Sequence, residues 1–246
     1  MSEFSYRERI YARYAEAGSA DLGFDRPEGA PAGLRDLLDR AVRDYFPADK
    51  NAAILDLGCG PGLMVHAARS AGYENCEGVD ISPQQVAEAE RLGIDGVREG
   101  DVLKTLSGLG DGTLDAVLSF DLLEHMTRDE LVTLIDAVHR VLKPGGRWIV
   151  HTCNAEAPFF GRVRFGDMTH EQAFTATSLN QVMIASDFKS VRCFEDRPDP
   201  RRLKGAVRWA MWHIARLPAL FWLIAESGPV ARRAILSQNL LAVIEK

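Results

Sequence analysis

Along the chain, short apolar runs bounded by turn residues alternate with segments whose apolar positions recur every three or four residues, from about residue 50 to residue 195. That alternation predicts an α/β unit with a parallel sheet covered by helices. Buried strands are expected at Ala53–Leu57, around Glu77–Val79, at Leu114–Phe120 and at Arg147–Val150. A sixth, with one wet face, is expected at Val191–Glu195 in "VRCFE", and a last one in "NLLAVIE". Two helix starts are legible. "SPQQ" sets Ser82 as N-cap with Gln85 as its reciprocal partner, and "TRDE" repeats the device with Thr127 and Glu130. "LKPGG", Leu142 to Gly146, is expected to end the second helix and turn tightly into the next strand.

Ahead of the sheet, Tyr6–Ala17 and Leu34–Phe46 are expected as helices joined by a Gly/Pro-rich loop. The second carries Leu34, Leu37, Leu38, Ala41, Val42 and Tyr45 on one stripe, which suits packing on a sheet. The first, with Tyr11 and Tyr14, is placed as a lid over a pocket. The chain thus divides into an N-terminal helical lid, 1–48, and a main domain, 49–246, with an insertion at 197–234.

Length and composition narrow the partners. The 246 residues, 46% of them hydrophobic, suit one large domain with an appendage. A net charge of -6 disfavours a nucleic-acid partner. Cys59, Cys76, Cys153 and Cys193 lie far apart without a CxxC pair, so neither a zinc site nor a disulfide framework is expected. The charged start lacks an apolar centre, which points to a cytoplasmic protein. The longest apolar run, Leu217 to Ala225, falls short of the roughly 20 residues that span a bilayer.

The chemistry concentrates at strand ends. In "ILDLGCGPG", Asp56, Gly58, Gly60 and Gly62 follow a strand and precede a helix, so the backbone can approach a ligand closely. A Walker loop needs GK[ST] after the glycines, and a dinucleotide fingerprint wants a small residue where Leu63 stands. Asp80 in "GVDIS" is placed to take ribose hydroxyls, a role shared by NAD and S-adenosylmethionine sites. Asp101 in "EGDV", able to accept an adenine amine, and the strand in "DAVLSFDLLEHM" favour the second.

With "ILDLGCGPG", "GVDIS", "EGDV", "LLEHM" and "LKPGG" in this order, residues 50 to 152 resemble the class I S-adenosylmethionine-dependent methyltransferases. The resemblance implies a Rossmann-like, doubly wound seven-stranded sheet with an antiparallel last strand. It also implies that Asp56, Gly58, Cys59 and Gly60 bind the cofactor around its amino-acid end and that Asp80 holds its ribose. Ile81 and Val102 should flank adenine, Asp101 should bind its amine, and Phe120 and Asp121 should border the methionine portion.

The acceptor is less legible, since fold does not fix substrate. "GDMTHEQAFTATSLNQVM" resembles methyltransferases encoded among bacterial polysaccharide and sugar biosynthesis enzymes, which implies O-methylation of a sugar or glycan intermediate. "LLEHM" also resembles quinone-biosynthesis methyltransferases, so an aromatic or quinone precursor is the alternative. A non-catalytic cofactor-binding scaffold is the reading from another class. Oxygen methylation needs a base, for which His125 and His170 stand first and His151 third. Tyr14, Asn154, Asp167 and Glu171 are candidate substrate contacts, and no metal is expected. The insertion, which mixes Arg and Lys with Trp209, Trp212, Phe221 and Trp222, is expected as a packed cap over the active site, since Pro218 breaks its helical pattern. The competing reading is an interfacial helix whose peripheral membrane contact would suit a lipid-linked glycan.

Overall fold

A computed structural model describes residues 6–11, 24–201, 203–228 and 233–246. Seven strands form one sheet: β1 (Ile54–Leu57), β2 (Cys76–Asp80), β3 (Val97–Glu99), β4 (Leu114–Phe120), β5 (Leu142–Cys153), β6 (Ser190–Glu195) and β7 (Asn239–Glu245). Their spatial order is β3-β2-β1-β4-β5-β7-β6. The first five pair in parallel, and β7 runs antiparallel to both β5 and β6. This is the expected doubly wound sheet with a reversed last strand.

Period-two alternation sends successive side chains to opposite faces. Leu55, Leu57, Val117, Trp148, Val150, Leu240 and Ala242 pack on one face with α5 (Val102–Ser107), α6 (Arg128–Val141) and α8 (Ala176–Ala185). Ile54, Ala116, Leu118, Ile149, Leu241 and Val243 pack on the other with α2 (Ala32–Tyr45) and α3 (Leu63–Ser70). The apolar stripe expected on the second helix is buried there at Leu37, Leu38, Ala41 and Val42. That helix begins at Ala32, before the expected Leu34, because Pro31 sets the chain at its N-cap with φ -49°.

Two local expectations are corrected. "LKPGG" is not a free turn: α6 ends at Val141 and β5 starts at once, with Leu142 paired to Leu114 and fully buried. Arg147 then pairs with Ala116, so Lys143–Gly146 bulge out of the ladder, with Gly145 at φ 76°. The second correction concerns the insertion. It holds α9 (Leu203–Ala215) and α10 (Leu217–Ser227), and neither helix buries a residue. The expected packed cap is therefore an open helical pair, whose partly covered side includes Trp209, Trp212 and Leu223.

The first helix is described as α1, Tyr6–Tyr11; the rest of its expected span, Tyr14 included, lies outside the described residues. Chains leaving β1 and β4 depart to opposite sides of the sheet, so a crevice opens between their carboxyl ends.

Candidate active site

The glycine turn after β1 is built by backbone geometry. Gly58, Gly60 and Gly62 all hold positive φ, at 66°, 53° and 78°. At Gly62 a Cβ would lie 2.5 Å from Val97 Cγ2, so the close approach of β3 also excludes a side chain. Gly60 differs: apart from Gln85 Oε1 at 4.0 Å its side-chain direction is open, and the residue lines the crevice. A side chain there would fill space that a ligand can use.

The crevice is a cavity of about 290 Å³, walled on one side by Gly58, Gly60 and Asp80, on another by Asp101, Val102 and Leu103, and at its far end by Asp121, His125 and Arg7. Asp80 accepts from the backbone N–H of Gly60 at 2.8 Å and of Ser82 at 2.9 Å, one on each oxygen. The carboxylate thereby braces the turn while facing the cavity. Burial pushes it above the ordinary carboxylate range, against the pull of the Ser82 and Gly60 amides. Asp101 caps α5 through Lys104 N at 2.8 Å and lines the cavity beside exposed Ile81 and buried Val102.

Gln85 is placed differently from the sequence expectation. Ser82 Oγ does accept from Gln85 N, but Ser82 N is already taken by Asp80, so the Gln85 side chain does not complete a capping box. It faces the cavity instead, and its buried Oε1 has no hydrogen-bond partner. An orphaned buried acceptor is costly unless a ligand donor meets it. Thr127 and Glu130 do form the expected box.

Three expected cofactor contacts stand off the wall. Asp56 is buried behind the turn, Cys59 Sγ turns to Gly60 O at 3.6 Å, and Phe120 stacks on His151 with ring centroids 5.5 Å apart. Burial and the nearby Asp80 raise Asp56 to about 8, and Asp56 Oδ1 has no hydrogen-bond partner. His151 is disqualified as a base. Burial opposes its charge, but Asp121 Oδ1 at 2.8 Å from Nδ1 and Asp196 Oδ2 at 3.6 Å from Nε2 overcome it and raise the ring to about 10. An imidazolium has no lone pair to offer.

Raised values on Asp56 and His151 act on stability in one direction. Each group binds more proton folded than unfolded, so its contribution is present at low pH and is lost as pH rises toward about 8 and about 10 respectively. Resistance to urea is expected to decline from pH 5 to pH 9, and Asp56→Asn, a neutral isostere, should flatten the lower part of that decline. A variant whose stability keeps the wild-type slope would show that Asp56 is ionised throughout.

His125 is the histidine on the cavity wall. It closes a 3₁₀ turn, Leu123–His125, directly after β4. Its Nδ1 lies 2.8 Å from Thr169 Oγ1, whose hydroxyl donates to Asp167 Oδ1 at 2.6 Å. With that proton committed to the carboxylate, the Thr169 oxygen accepts from His125 Nδ1–H. The network therefore assigns the lone pair to Nε2. Burial, then the neighbouring His170, lower His125 to about 4, against the opposing pull of Asp167 and Asp121, so the ring is neutral at ordinary pH.

The remaining candidates support this arrangement. His170 sits behind His125, edge-on with centroids 4.7 Å apart, its Nδ1 3.1 Å from Val163 O; it is off the cavity wall, which corrects its assignment as an alternative base. Asn154 is corrected as a substrate contact: fully buried, it donates to Ile235 O and Ser237 O and accepts from Glu156 N. Asp167 acts on His125 through Thr169, and Glu171 meets Tyr6 Oη of α1.

Sequence reasoning missed Arg7, which bonds both oxygens of Glu130 at 2.8 Å and donates to His125 O, tying α1 to the cavity mouth. It also missed Thr169. The first contact spans 123 residues and leaves no local signal; the second stands beside His170 in "MTHEQ" and needs the fold to reveal it. The fold also draws His125, Asp167 and His170 together, and likewise Glu124, Cys153 and His170, with ligand atoms within 4.8 Å in each group.

Residues 55–150 match the family model described as a methyltransferase domain. Over this segment the chain is similar to that domain. The fold agrees: a SAM-dependent methyltransferase from Archaeoglobus fulgidus superposes with a TM-score of 0.66 at 21% identity, over 86% of this chain and 94% of that one. Norajmaline N-methyltransferase of Rauvolfia serpentina is 31% identical over 134 residues, covering 50% of this chain and 44% of the relative. A ubiquinone biosynthesis O-methyltransferase of Xylella fastidiosa (strain M23) is 30% identical over 157 residues, 61% of each chain. The chain thus spans about half the length of the curated relatives it matches. The cavity fits S-adenosylmethionine on its own terms: open space at Gly60, an orphaned acceptor on Gln85, and two carboxylates at the ends of successive strands.

Proposed function

We propose that the chain is an S-adenosylmethionine-dependent methyltransferase acting on a hydroxyl oxygen of a small acceptor. The observation that carries this is His125: a neutral imidazole on the cavity wall, its tautomer held by Thr169 and Asp167 so that Nε2 can take a proton. The cofactor supplies an electrophilic methyl group on a sulfonium when bound. Asp80 would hold its ribose, Asp101 and Gln85 its adenine end, and the glycine turn its amino-acid end. The protein's part in the reaction is to align the hydroxyl and remove its proton as the new bond forms.

A phenolic hydroxyl, as on an aromatic or quinone precursor, is the acceptor best supported. The curated relatives include an O-methyltransferase of ubiquinone biosynthesis, and apolar Leu122 and Met126 border His125 in the cavity. A sugar or glycan hydroxyl is the second reading, favoured by the polar stretch after β5. Much of that stretch is spent internally, however: Asp167 on Thr169, and Gln172 on Met126 O. The four cysteines are unpaired, which suits a cytoplasmic setting. Methyl transfer from labelled cofactor to a panel of phenols, nucleotide sugars and lipid-linked glycans tests the reading. Labelling of phenols alone supports the first acceptor, labelling of sugars alone the second, and cofactor binding without any transfer returns the scaffold reading.

Activity is expected to survive chelator treatment. Displacement at a sulfonium needs no Lewis acid, and Nδ1 of both His125 and His170 is engaged in hydrogen bonds. Loss of activity that added magnesium restores would turn the carboxylate and histidine clusters into cation ligands, with Asp121, Glu124 and Asp167 first.

A further inference from the structure

The insertion between β6 and β7 reverses the charge of the molecule around it. Residues 197–234 hold eight Lys and Arg against two Asp and Glu, while the whole chain is net -6. The same segment carries an exposed apolar face. On α9, Leu203, Val207, Met211 and Ile214 recur at helical spacing and stand 84%, 54%, 63% and 68% exposed. On α10, Phe221 and Trp222 are 75% and 71% exposed. Lys204, Arg208 and Arg233 are exposed alongside them. A monomer in water leaves single apolar residues exposed, not a helical row of them ending in two aromatics.

We propose that α9 and α10 form a docking surface for an anionic lipid bilayer. An amphipathic pair with basic residues beside an apolar and aromatic face binds where headgroups meet acyl chains. Anionic lipid complements the local positive charge, whereas a second copy docked on the same face would bring two such basic segments together. The helices do not cross: at 1.5 Å per residue, 13 and 11 residues reach roughly 20 and 16 Å, against a hydrocarbon core of about 30 Å. Among the described residues no helix is long and apolar enough to span a membrane. The insertion follows the carboxyl end of β6, which is parallel to β5, so it emerges at the sheet edge that holds the cavity. Docking would therefore bring the sheet edge that holds the cavity to the bilayer.

Sedimentation with sucrose-loaded vesicles tests this with the full chain. The protein is expected to pellet with vesicles of phosphatidylcholine containing phosphatidylglycerol, to stay in solution with phosphatidylcholine alone, and to be released by added salt. Phe221→Ser with Trp222→Ser should weaken binding by at least about tenfold, because two large apolar side chains no longer enter the lipid. Lys204→Glu with Arg208→Glu should remove the preference for anionic vesicles. Both double variants should bind S-adenosylmethionine as the wild type does, which separates this surface from the cavity. Wild-type protein that ignores anionic vesicles overturns the proposal, as do aromatic variants that bind like wild type. A dimer in sedimentation equilibrium that Phe221→Ser with Trp222→Ser dissociates, without vesicle binding, assigns the face to a second copy instead.

Discussion

Asp80→Ala is expected to weaken S-adenosylmethionine binding by about 1.5 to 3 kcal/mol, or roughly tenfold to more than a hundredfold. Two losses combine. On the proposed function the carboxylate takes the paired ribose hydroxyls, and it also accepts from Gly60 N and Ser82 N, so its removal loosens the turn that forms the cavity wall. Asp80→Asn separates them. The amide keeps one acceptor for the turn but replaces an acceptor by a donor, so it should recover part of the loss and no more. Calorimetry on both variants, with NAD and ATP as silent controls, reads the result. Unchanged affinity in a folded Asp80→Ala protein would remove Asp80 from the site, and tight NAD binding would reassign the crevice altogether.

The glycine turn, Asp80 and Asp101 were legible because each stands within a few residues of a strand end, and strand ends in a doubly wound sheet converge by topology. What escaped notice joins distant segments. Arg7 meets Glu130, Thr169 meets His125, and Asp196 meets His151, and none of these pairs has a spacing that a sequence window contains. Local patterns also misled where two partners compete for one group. Gln85 sits at the right offset for a capping box, yet the stronger carboxylate acceptor of Asp80 claims the Ser82 amide and frees the glutamine to face the cavity. The insertion failed for another reason. Its tryptophans read as packing residues, but composition does not say which side of a helix meets the protein. Here Trp209 and Trp212 are partly covered while Trp222 is exposed.

His125→Ala is expected to lower kcat by about 10²- to 10⁴-fold with cofactor affinity near wild type, the range typical of a general base. The ring is the histidine that lines the cavity with a nitrogen free to accept, since His151 is held as an imidazolium and His170 stands behind the wall. The pH profile gives the sharper test. Only neutral His125 can take the proton, and burial with the neighbouring His170 lowers it to about 4, so activity should hold as pH falls through 6.5 and fade near 4. Thr169→Val removes the acceptor that orients Nδ1–H and cuts the link to Asp167. That variant should lose less than His125→Ala, because the ring remains but samples the wrong tautomer. Its loss should appear in kcat rather than KM, a split that a purely structural role for Thr169 would not produce. Full turnover in His125→Ala would hand the proton to Asp121 or to water, and a profile fading near 6.5 would show that the ring is open to solvent when it works.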